Sequence, residues 1–282
     1  MALSPVVAQQ KVDAFFESVA PYWRDVYETP GTQSEIYRDR HAGALAWIDA
    51  LVGAGDGRAL EAGCGAGFMA VEMVRRGYRV EAIDTSQAMV ELARRTAASA
   101  GVSAELRVDT GDACALAFPD ASFDLVVAIA VLPWLRRAEP AIAEMARVTK
   151  PGGHLILTAD NRARLNTLLD PRYNLTLAPL RDRLTAALVR LRLYRRLPDP
   201  KPTFHRRRFI DQQLAAAGLV KVKSRTIGFG PFSILGRVVV PEPLGTNLHR
   251  RLQRLADRGT PGLRSTGGHY LVLARKTPAA RN

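Results

Sequence analysis

The sequence has few cysteines and no long apolar run, the features that are typical of disulfide-linked, metal-binding and membrane-spanning proteins. It contains only two cysteines, Cys64 and Cys114, which supply neither a disulfide framework nor a metal-ligand spacing, so no metal site is predicted. It has no run of about 18 apolar residues, which excludes a transmembrane helix. Residues 1–10 lack the basic start and long apolar core of a secretion signal, so we expect a cytoplasmic protein.

Acidic residues are also scarce, and their deficit is concentrated in one segment. The net charge of the 282 residues is +13. Between positions 162 and 208, thirteen lysines and arginines stand against three aspartates, an excess of ten positive charges. Such an excess would ordinarily indicate nucleic acid or an anionic membrane surface as a partner. Nucleic acid is disfavoured, because the segment lacks aromatic stacking platforms and an appended binding module.

Leucines and arginines are interleaved within residues 175–197 at a spacing that predicts a basic amphipathic helix. Three interpretations of this helix remain open. It could lie in an anionic membrane interface as a peripheral contact. It could instead cover an apolar ligand as a lid, or bury its leucines in a small lobe and expose a solvated basic face.

What the sequence does contain is a glycine-rich turn within residues 58–68, around which the rest of the chain is organised. Gly63, Gly65 and Gly67 follow a short apolar run that contains Glu61. Glycine permits positive φ and close approach of the backbone to a ligand, and a helix start presents unpaired N–H groups. The pattern therefore predicts a strand, a nucleotide-binding turn and a helix in succession. An ordinary strand-turn-helix junction is the alternative.

Strands and helices alternate after this turn. Residues 78–84 form an apolar run closed by Asp84. Further strands are predicted over 105–108, 123–130 and 154–158. This alternation indicates a mostly parallel sheet with helices on both faces and ligands at the carboxyl ends of the strands. Asp84 would there accept the hydroxyls of a ribose, and a role as a helix N-cap alone is the alternative.

Two helices are predicted before the glycine turn. An apolar stripe recurs at helical spacing within residues 12–19, and we expect the first helix to break at Pro21. A second helix is expected over residues 33–52. Both would either cap the sheet or cover the ligand site.

Four motifs in order resemble those of the class I S-adenosylmethionine-dependent methyltransferases. They are the glycine turn with its leading Glu61, the acidic strand end at Asp84, the Gly-Asp-Ala run at 111–113 and the Lys-Pro-Gly-Gly turn at 150–153. Phe68 stands where the nicotinamide-binding fingerprint needs a glycine, which argues against that cofactor. The resemblance implies a Rossmann-like α/β fold with a seven-stranded, mostly parallel sheet and helices on both faces.

In that fold the remaining predicted elements complete the sheet. A helix over 206–217 precedes strand six at 219–228, and residues 269–275 would enter as strand seven, antiparallel between strands five and six. The chain is then divided into four parts. They are an N-terminal helical cap (1–54), a cofactor-binding core (55–160), a basic helical insertion after strand five (161–204) and a C-terminal completion of the sheet with an acceptor-side loop (205–282).

Within the class, the chain is loosely similar to the O-methyltransferases of ubiquinone biosynthesis. The shared features are an aromatic element at Tyr22 and Trp23, an Arg/His-rich second helix around 37–41, and the run at 158–162 after strand five. The chain departs from that family at residues 132–134, where Leu-Pro-Trp replaces an acid-rich Glu-His pair. This departure leaves the acceptor open.

The resemblance implies S-adenosyl-L-methionine as the cofactor and assigns roles to individual residues. Asp84 would bind the ribose, Asp112 the adenine amino group, and the Ala113 N–H an adenine ring nitrogen. Tyr22, Arg38 and Arg40 are the candidates for holding the methionine carboxylate. The full set of expected cofactor residues is Glu61, Gly63, Cys64, Gly65, Gly67, Asp84, Thr85, Met89, Asp112, Ala113, Ala130, Tyr22 and Arg38.

The expected reaction is in-line transfer of a methyl group to a small hydrophobic acceptor, with oxygen favoured. Trp134, Phe229 and Phe232 are expected to line the acceptor pocket, and His205 or His41 is the candidate base. The alternatives are methylation of a lipid or quinone precursor at a membrane surface, and N- or C-methylation in natural-product biosynthesis. A non-catalytic cofactor-binding protein and an RNA methyltransferase are less favoured.

Overall fold

The computed structural model describes residues 5–51, 57–166, 200–234 and 237–278. The amphipathic helix predicted over 175–197 lies outside these residues, as does most of the basic insertion. Within the described ranges, no helix combines the length and the hydropathy that crossing a bilayer would require.

Helices and strands alternate from the glycine turn to the fifth strand, as the sequence predicts. The helices are α1 (Pro5–Asp25), α2 (Thr32–Leu51), α3 (Phe68–Val74), α4 (Gln87–Ser99), α5 (Glu139–Val148), α6 (Arg207–Ala216) and α7 (Leu244–Asp257). The strands are β1 (Arg58–Ala62), β2 (Arg79–Asp84), β3 (Leu106–Thr110), β4 (Phe123–Ala128), β5 (Thr149–Asp160), β6 (Leu219–Ile227), β7 (Ser233–Ile234), β8 (Arg237–Val238) and β9 (His269–Lys276). Short 3₁₀ turns occur at Leu132–Trp134 and Leu263–Ser265.

The main sheet has seven strands in the order β3-β2-β1-β4-β5-β9-β6. Its first five strands are parallel, whereas β9 runs antiparallel to both of its neighbours. The predicted insertion of the last strand between the fifth and sixth is therefore confirmed. The strands β7 and β8 form a separate two-stranded ribbon that the sequence analysis did not predict.

Apolar side chains cover both faces of the sheet, because strands between two helical layers are buried on each side. On one face, Ile142 and Met145 of α5 and Ile210 of α6 pack in the core. On the other face, Trp47 of α2 and Met73 of α3 do the same. The predicted arrangement of helices on both faces is confirmed, and the carboxyl ends of the parallel strands lie together at one edge.

Helix α1 continues through Pro21, so the predicted break at this residue is wrong. Proline lacks an N–H and removes one intrahelical hydrogen bond. The helix nevertheless keeps one apolar face on both sides of the proline, because Phe16 and Trp23 both pack against the cluster around Met89 of α4. This packing brings aromatic residues beyond the proline to the ligand edge of the sheet.

Candidate active site

The glycine turn between β1 and α3 is hydrogen-bonded to the end of β2. The N–H groups of Gly63 and Cys64 both donate to the carbonyl oxygen of Ile83, at 2.8 and 2.9 Å. Gly63, Gly65 and Gly67 have φ angles of +73°, +52° and +81°. Residues with a Cβ rarely adopt this left-handed conformation, so the path of the backbone requires glycine at these positions.

The space around the three glycines differs. A Cβ atom on Gly63 would collide with Val131, and one on Gly67 would lie 2.9 Å from the Cβ of Ala93 in α4. A Cβ on Gly65 would meet no atom within 4 Å, because this glycine borders an open cavity. Gly65 therefore leaves room for a ligand, whereas Gly67 allows α3 and α4 to pack closely.

The carboxylate of Asp84 at the end of β2 binds the same turn. Its Oδ2 accepts from the Gly65 N–H at 2.9 Å, and its Oδ1 accepts from the Ser86 N–H at 3.0 Å. Burial raises the pKa of Asp84, and these two N–H groups oppose the rise. Ser86 caps α4, since its hydroxyl accepts from the Met89 N–H at 3.4 Å. The alternative in which Asp84 is only a helix N-cap is therefore wrong.

A cavity lies at the carboxyl ends of β1, β2 and β4. It encloses about 1040 Å³, including the solvent at its mouth, which is the upper range for small-molecule sites. Most of the expected cofactor residues line it, namely Glu61, Gly63, Cys64, Gly65, Asp84, Thr85, Met89, Asp112, Ala113 and Ala130. The fold thus brings together residues that are far apart in the sequence, and their individual roles stay predictions.

Glu61 Oε2, Arg40 Nε and Trp23 Nε1 are among the buried polar atoms that have no hydrogen-bond partner within the described ranges. All three residues line the cavity. Glu61 is 3% exposed, and burial raises the pKa of its carboxyl group well above the ordinary value. A buried polar atom without a partner costs free energy unless a ligand satisfies it. A carboxyl acceptor and a guanidinium donor fit the ammonium and carboxylate of the predicted cofactor's methionine end.

Neither Tyr22 nor Arg38 lines the cavity, which contradicts the prediction for these two residues. Arg38 donates to the Tyr27 carbonyl at 2.7 Å and to the Glu35 carboxylate at 2.8 Å. Tyr22 is 48% exposed. Arg40, the third candidate for the methionine carboxylate, does line the cavity, because residues two positions apart in a helix project from nearly opposite faces.

Of the three residues expected to line the acceptor pocket, Trp134 lies on the cavity and the other two do not. Phe229 and Phe232 pack in a separate cluster with Ala256 of α7. The Phe229 N–H also donates to Nδ1 of the buried His249 in α7, at 3.2 Å. The Gly-Pro-Phe loop therefore packs against α7, and this corrects its predicted role as an acceptor wall.

The two histidines predicted as candidate bases differ in position. His41 lines the cavity, and burial lowers the pKa of its imidazole to about 4, so it is uncharged near neutral pH. His205 is not part of the lining. Its Nε2 is buried without a partner among the described residues, and its ring stacks on Phe209 at 5.6 Å between centroids. Of the two, His41 is the one that the fold brings to the cavity.

Aromatic residues of α1 form part of the site, which agrees with the alternative that the N-terminal helices cover the ligand site, although these aromatic residues were not among the expected site residues. Phe16 and Trp23 line the cavity together with Val12. The Phe16 ring meets Trp134 edge-on at 5.0 Å between centroids, and Phe15 stacks on the same indole at 5.5 Å. Val12, Phe16 and Trp23 share one helical face, so the apolar stripe would have identified them had it been continued beyond the proline.

Comparisons with known proteins show that the chain is similar to methyltransferases. The family model described as "Methyltransferase domain" matches residues 60–157. A protein named ubiquinone biosynthesis O-methyltransferase from Pseudomonas fluorescens is 30% identical over 171 residues, which are 59% of this chain and 71% of that protein. A protein of the same name from Azoarcus sp. is 28% identical over 167 residues, which are 58% of this chain and 70% of that protein.

A solved structure has the same fold. The magnesium protoporphyrin IX methyltransferase of Synechocystis PCC 6803, solved with bound SAH, has a TM-score of 0.65 at 16% identity and covers 96% of this chain and 100% of that chain. This likeness concerns the fold alone. The sequence relatives and the domain match extend it to the cofactor and the reaction. The chain therefore belongs to the class I S-adenosylmethionine-dependent methyltransferases.

Proposed function

We propose that the enzyme methylates an oxygen atom of a small, hydrophobic acceptor that contains an aromatic ring. The observation that supports this acceptor is the apolar part of the cavity wall, which includes Phe16, Trp23, Val131, Trp134 and Leu135. Aromatic side chains bind planar apolar ligands through stacked and edge-on contacts. The relatives named as O-methyltransferases of ubiquinone biosynthesis support oxygen as the atom that receives the methyl group.

The cofactor supplies the activated methyl group, and the chain's own residues bind and orient it. We infer that the Asp84 carboxylate accepts hydrogen bonds from the ribose hydroxyls. It would use the oxygen lone pairs that are not engaged by the Gly65 and Ser86 N–H groups. Asp112 has its Oδ1 engaged by the Cys114 N–H at 2.8 Å. Its Oδ2 would then be the acceptor for the adenine amino group.

The methionine end and the adenine ring of the cofactor would contact other residues of the cavity lining. Glu61 and Arg40, whose buried polar atoms lack partners within the described part of the chain, would bind the ammonium and the carboxylate of the methionine end. The Ala113 N–H would donate to an adenine ring nitrogen, and the buried Met89 would support the ring.

Helix α1 would exclude water from the reacting groups. It contributes Gln9, Val12, Phe16 and Trp23 to the cavity lining. The amide of Gln9 donates to the Thr85 hydroxyl at 3.4 Å, which joins α1 to the end of β2. Reactants that are held in contact in a water-excluded site gain much of their rate from alignment.

The acceptor is proposed to differ from that of the ubiquinone relatives. In the 3₁₀ turn Leu132–Trp134, an indole lines the cavity at the place where the resembled family has an acid-rich pair. An indole offers apolar contact area, whereas acidic side chains bind polar or cationic groups. We therefore favour an acceptor that presents an apolar ring to Trp134.

We further propose that the protein is cytoplasmic and that residues 175–197 contact an anionic membrane surface. The enzyme could take up a hydrophobic acceptor from this surface. The interleaved leucines and arginines support this. A chain lacking 175–197 should lose co-sedimentation with anionic vesicles and keep its affinity for S-adenosylmethionine. Undiminished co-sedimentation would contradict the proposal.

The division of the chain into a cap (1–54), a core (55–160), an insertion (161–204) and a C-terminal part (205–282) likewise stays a proposal.

The acceptor proposal is tested by methyl transfer from labelled S-adenosylmethionine to matched series of phenols, catechols, aromatic amines and aliphatic alcohols. We expect label on phenolic oxygen, with a rate that rises with the apolar area of the acceptor. Label confined to nitrogen or carbon would contradict the oxygen assignment. Tight cofactor binding without transfer to any acceptor would favour the non-catalytic alternative.

A further inference from the structure

An aspartate and a histidine are paired where β5 ends and β9 begins. Asp160 is the last residue of β5 and His269 the first of β9, and the antiparallel register places them directly opposite each other. Nδ1 of His269 lies 2.9 Å from Oδ1 of Asp160. Because the register fixes both backbones, the pair exists without any bound ligand.

Asp160 remains ionised although its side chain is only 15% exposed. Burial alone would raise the pKa of this carboxyl group, but the neighbouring His269, Arg40 and Arg164 outweigh burial and hold the pKa below its ordinary value. An ionised carboxylate can only accept hydrogen bonds, so the hydrogen between the two side chains is carried by Nδ1 of His269. In the uncharged form of the imidazole, this tautomer leaves the lone pair on Nε2.

The Nε2 atom of His269 is free to receive a proton. Within the described ranges it makes no hydrogen bond, and it is not among the fully buried polar atoms that lack a partner, so it keeps some exposure to solvent. His249 differs, because the Phe229 N–H and the Asp39 carboxylate occupy both of its ring nitrogens. His205 differs as well, because its Nε2 is buried.

His269 and Asp160 are not themselves part of the cavity lining, but they adjoin residues that are. The Tyr37 ring lies 6.4 Å from that of His269 and 5.5 Å from that of Trp23, between centroids. The guanidinium carbon of Arg40 lies 4.8 Å from the centroid of the same tyrosine ring. Trp23 and Arg40 both line the cavity. In sheets of this type, ligands bind beyond the carboxyl ends of the strands, which is where β5 delivers Asp160.

We propose that His269, oriented by Asp160, is the general base that takes the proton from the acceptor hydroxyl. This inference rests on the proposed oxygen acceptor. The acceptor oxygen forms its new bond to the methyl carbon with a lone pair, while the electron pair of the broken carbon–sulfur bond remains on a sulfur that becomes a neutral thioether. The hydroxyl proton passes to Nε2, and the imidazolium that results is stabilised by the Asp160 carboxylate.

Charged and titratable groups from several elements face the pair. They are Arg40 and Tyr37 from α2, Arg164 from the segment after β5, and His205 from the segment before α6. Burial raises the pKa of Tyr37 to about 12, so it stays protonated at the pH values of an assay. His205 is the other imidazole that faces Asp160, so His205→Gln is included as a control.

The test compares His269→Gln with His154→Gln, which alters a histidine at the opposite end of the same strand pair, where His154 faces Arg275. Methyl transfer to a phenol is followed as a function of pH. We expect kcat of His269→Gln to fall by about 100-fold or more. The decrease in the wild-type kcat at low pH, which is the acidic limb of the pH profile, should be absent in this variant. His154→Gln and His205→Gln should retain that limb, and all three variants should bind S-adenosylmethionine with unchanged affinity in calorimetry.

A second readout needs no turnover. A nitrophenol absorbs visible light only as the phenolate, so its ionisation in the site can be titrated by absorbance. The wild-type protein with S-adenosylhomocysteine should bind this probe as the phenolate at lower pH than His269→Gln does. Asp160→Asn removes the orienting charge with little change in size, and it should reduce kcat and displace the acidic limb while KM for the phenol stays nearly constant.

These outcomes separate the inference from the function on which it rests. A folded His269→Gln protein with the wild-type kcat and acidic limb would overturn the base assignment. If His269→Gln does not fold, an unchanged acidic limb in Asp160→Asn would overturn it equally. Failure of the wild-type protein to methylate any hydroxyl would instead contradict the proposed function, and the nitrophenol titration would still decide whether His269 accepts a phenolic proton.

Discussion

At the scale of single residues, two arginines of α2 occupy contrasting environments. Arg40 is buried, packs over the Tyr37 ring, and has an Nε without a partner among the described residues. Arg38 is more exposed, and its guanidinium donates to Tyr27 and Glu35. The two residues therefore form a matched pair for testing which guanidinium binds the cofactor.

We expect Arg40→Met to weaken S-adenosylmethionine binding by about 10- to 100-fold, since a hydrogen bond to a charged group contributes about 1.5–3 kcal/mol. Arg38→Met should change the affinity by less than about threefold, because its ion pair is partly exposed. Calorimetric titration of both variants measures the difference. An equal loss in the two variants, or no loss in Arg40→Met, would contradict the assignment of Arg40.

At the scale of elements, the aromatic face of α1 and the 3₁₀ turn Leu132–Trp134 meet over the cavity. We expect Trp134→Leu to raise KM for an aromatic acceptor by about tenfold, because stacking and apolar area are lost. Cofactor affinity should be nearly unchanged. Phe232→Leu is the control, since Phe232 packs with Phe229 and α7. A rise in KM in the control but not in Trp134→Leu would show that the acceptor lies against the α7 loop instead.

Helices α2 and α7 are joined by charged side chains. The Glu35 carboxylate accepts from Arg250 of α7 at 2.7 Å and from Arg38 at 2.8 Å. These hydrogen bonds, the one from Arg250 foremost, lower the pKa of Glu35 to about 2. Arg250 is 55% exposed, so solvent screens part of the interaction.

The hydrogen bonds from Arg250 and Arg38 to the Glu35 carboxylate predict that the free energy of unfolding depends on pH. A carboxyl group whose pKa is lower in the folded state stabilises the fold above its unfolded pKa, and this contribution is lost as the pH falls toward the folded value. For Glu35 the contribution is complete above about pH 4.5 and is lost toward about pH 2. We expect Glu35→Gln to lower the free energy of unfolding by about 1–2 kcal/mol near neutral pH.

Urea unfolding of the wild type and Glu35→Gln across the acid range measures this effect. The difference between the two proteins should shrink as the pH falls below about 4.5. Glu28→Gln, an exposed position between α1 and α2, serves as the control. A difference that stays constant over the whole range would mean that the stabilisation does not come from the Glu35 carboxylate.

At the scale of the whole molecule, the cofactor half of the site could be predicted from the sequence because its determinants are local. Gly63, Gly65 and Gly67 set the path of one turn, and Asp84 ends the next strand. Parallel strands bring their carboxyl ends to one edge, so the order of the motifs is enough to assemble these residues.

The acceptor half of the site and the residues for the methionine end of the cofactor could not be predicted in the same way. The rotation of α2 about its own axis decides that Arg40 rather than Arg38 lines the cavity, and tertiary packing sets that rotation. Packing against α7 likewise removes Phe229 from the lining. Asp160 and His269 are 109 positions apart and meet only through the register of β5 and β9.

Calorimetric titration of the wild type, Asp84→Asn and Asp109→Asn with S-adenosylmethionine measures whether the cavity binds this cofactor. We predict one site with a Kd in the micromolar range, weakened about tenfold or more in Asp84→Asn. Asp109→Asn should bind like the wild type, because Asp109 is a half-exposed residue of β3 that pairs with Arg94 and Arg107. Absence of heat and of any thermal shift in the wild-type protein at saturating cofactor would contradict the account.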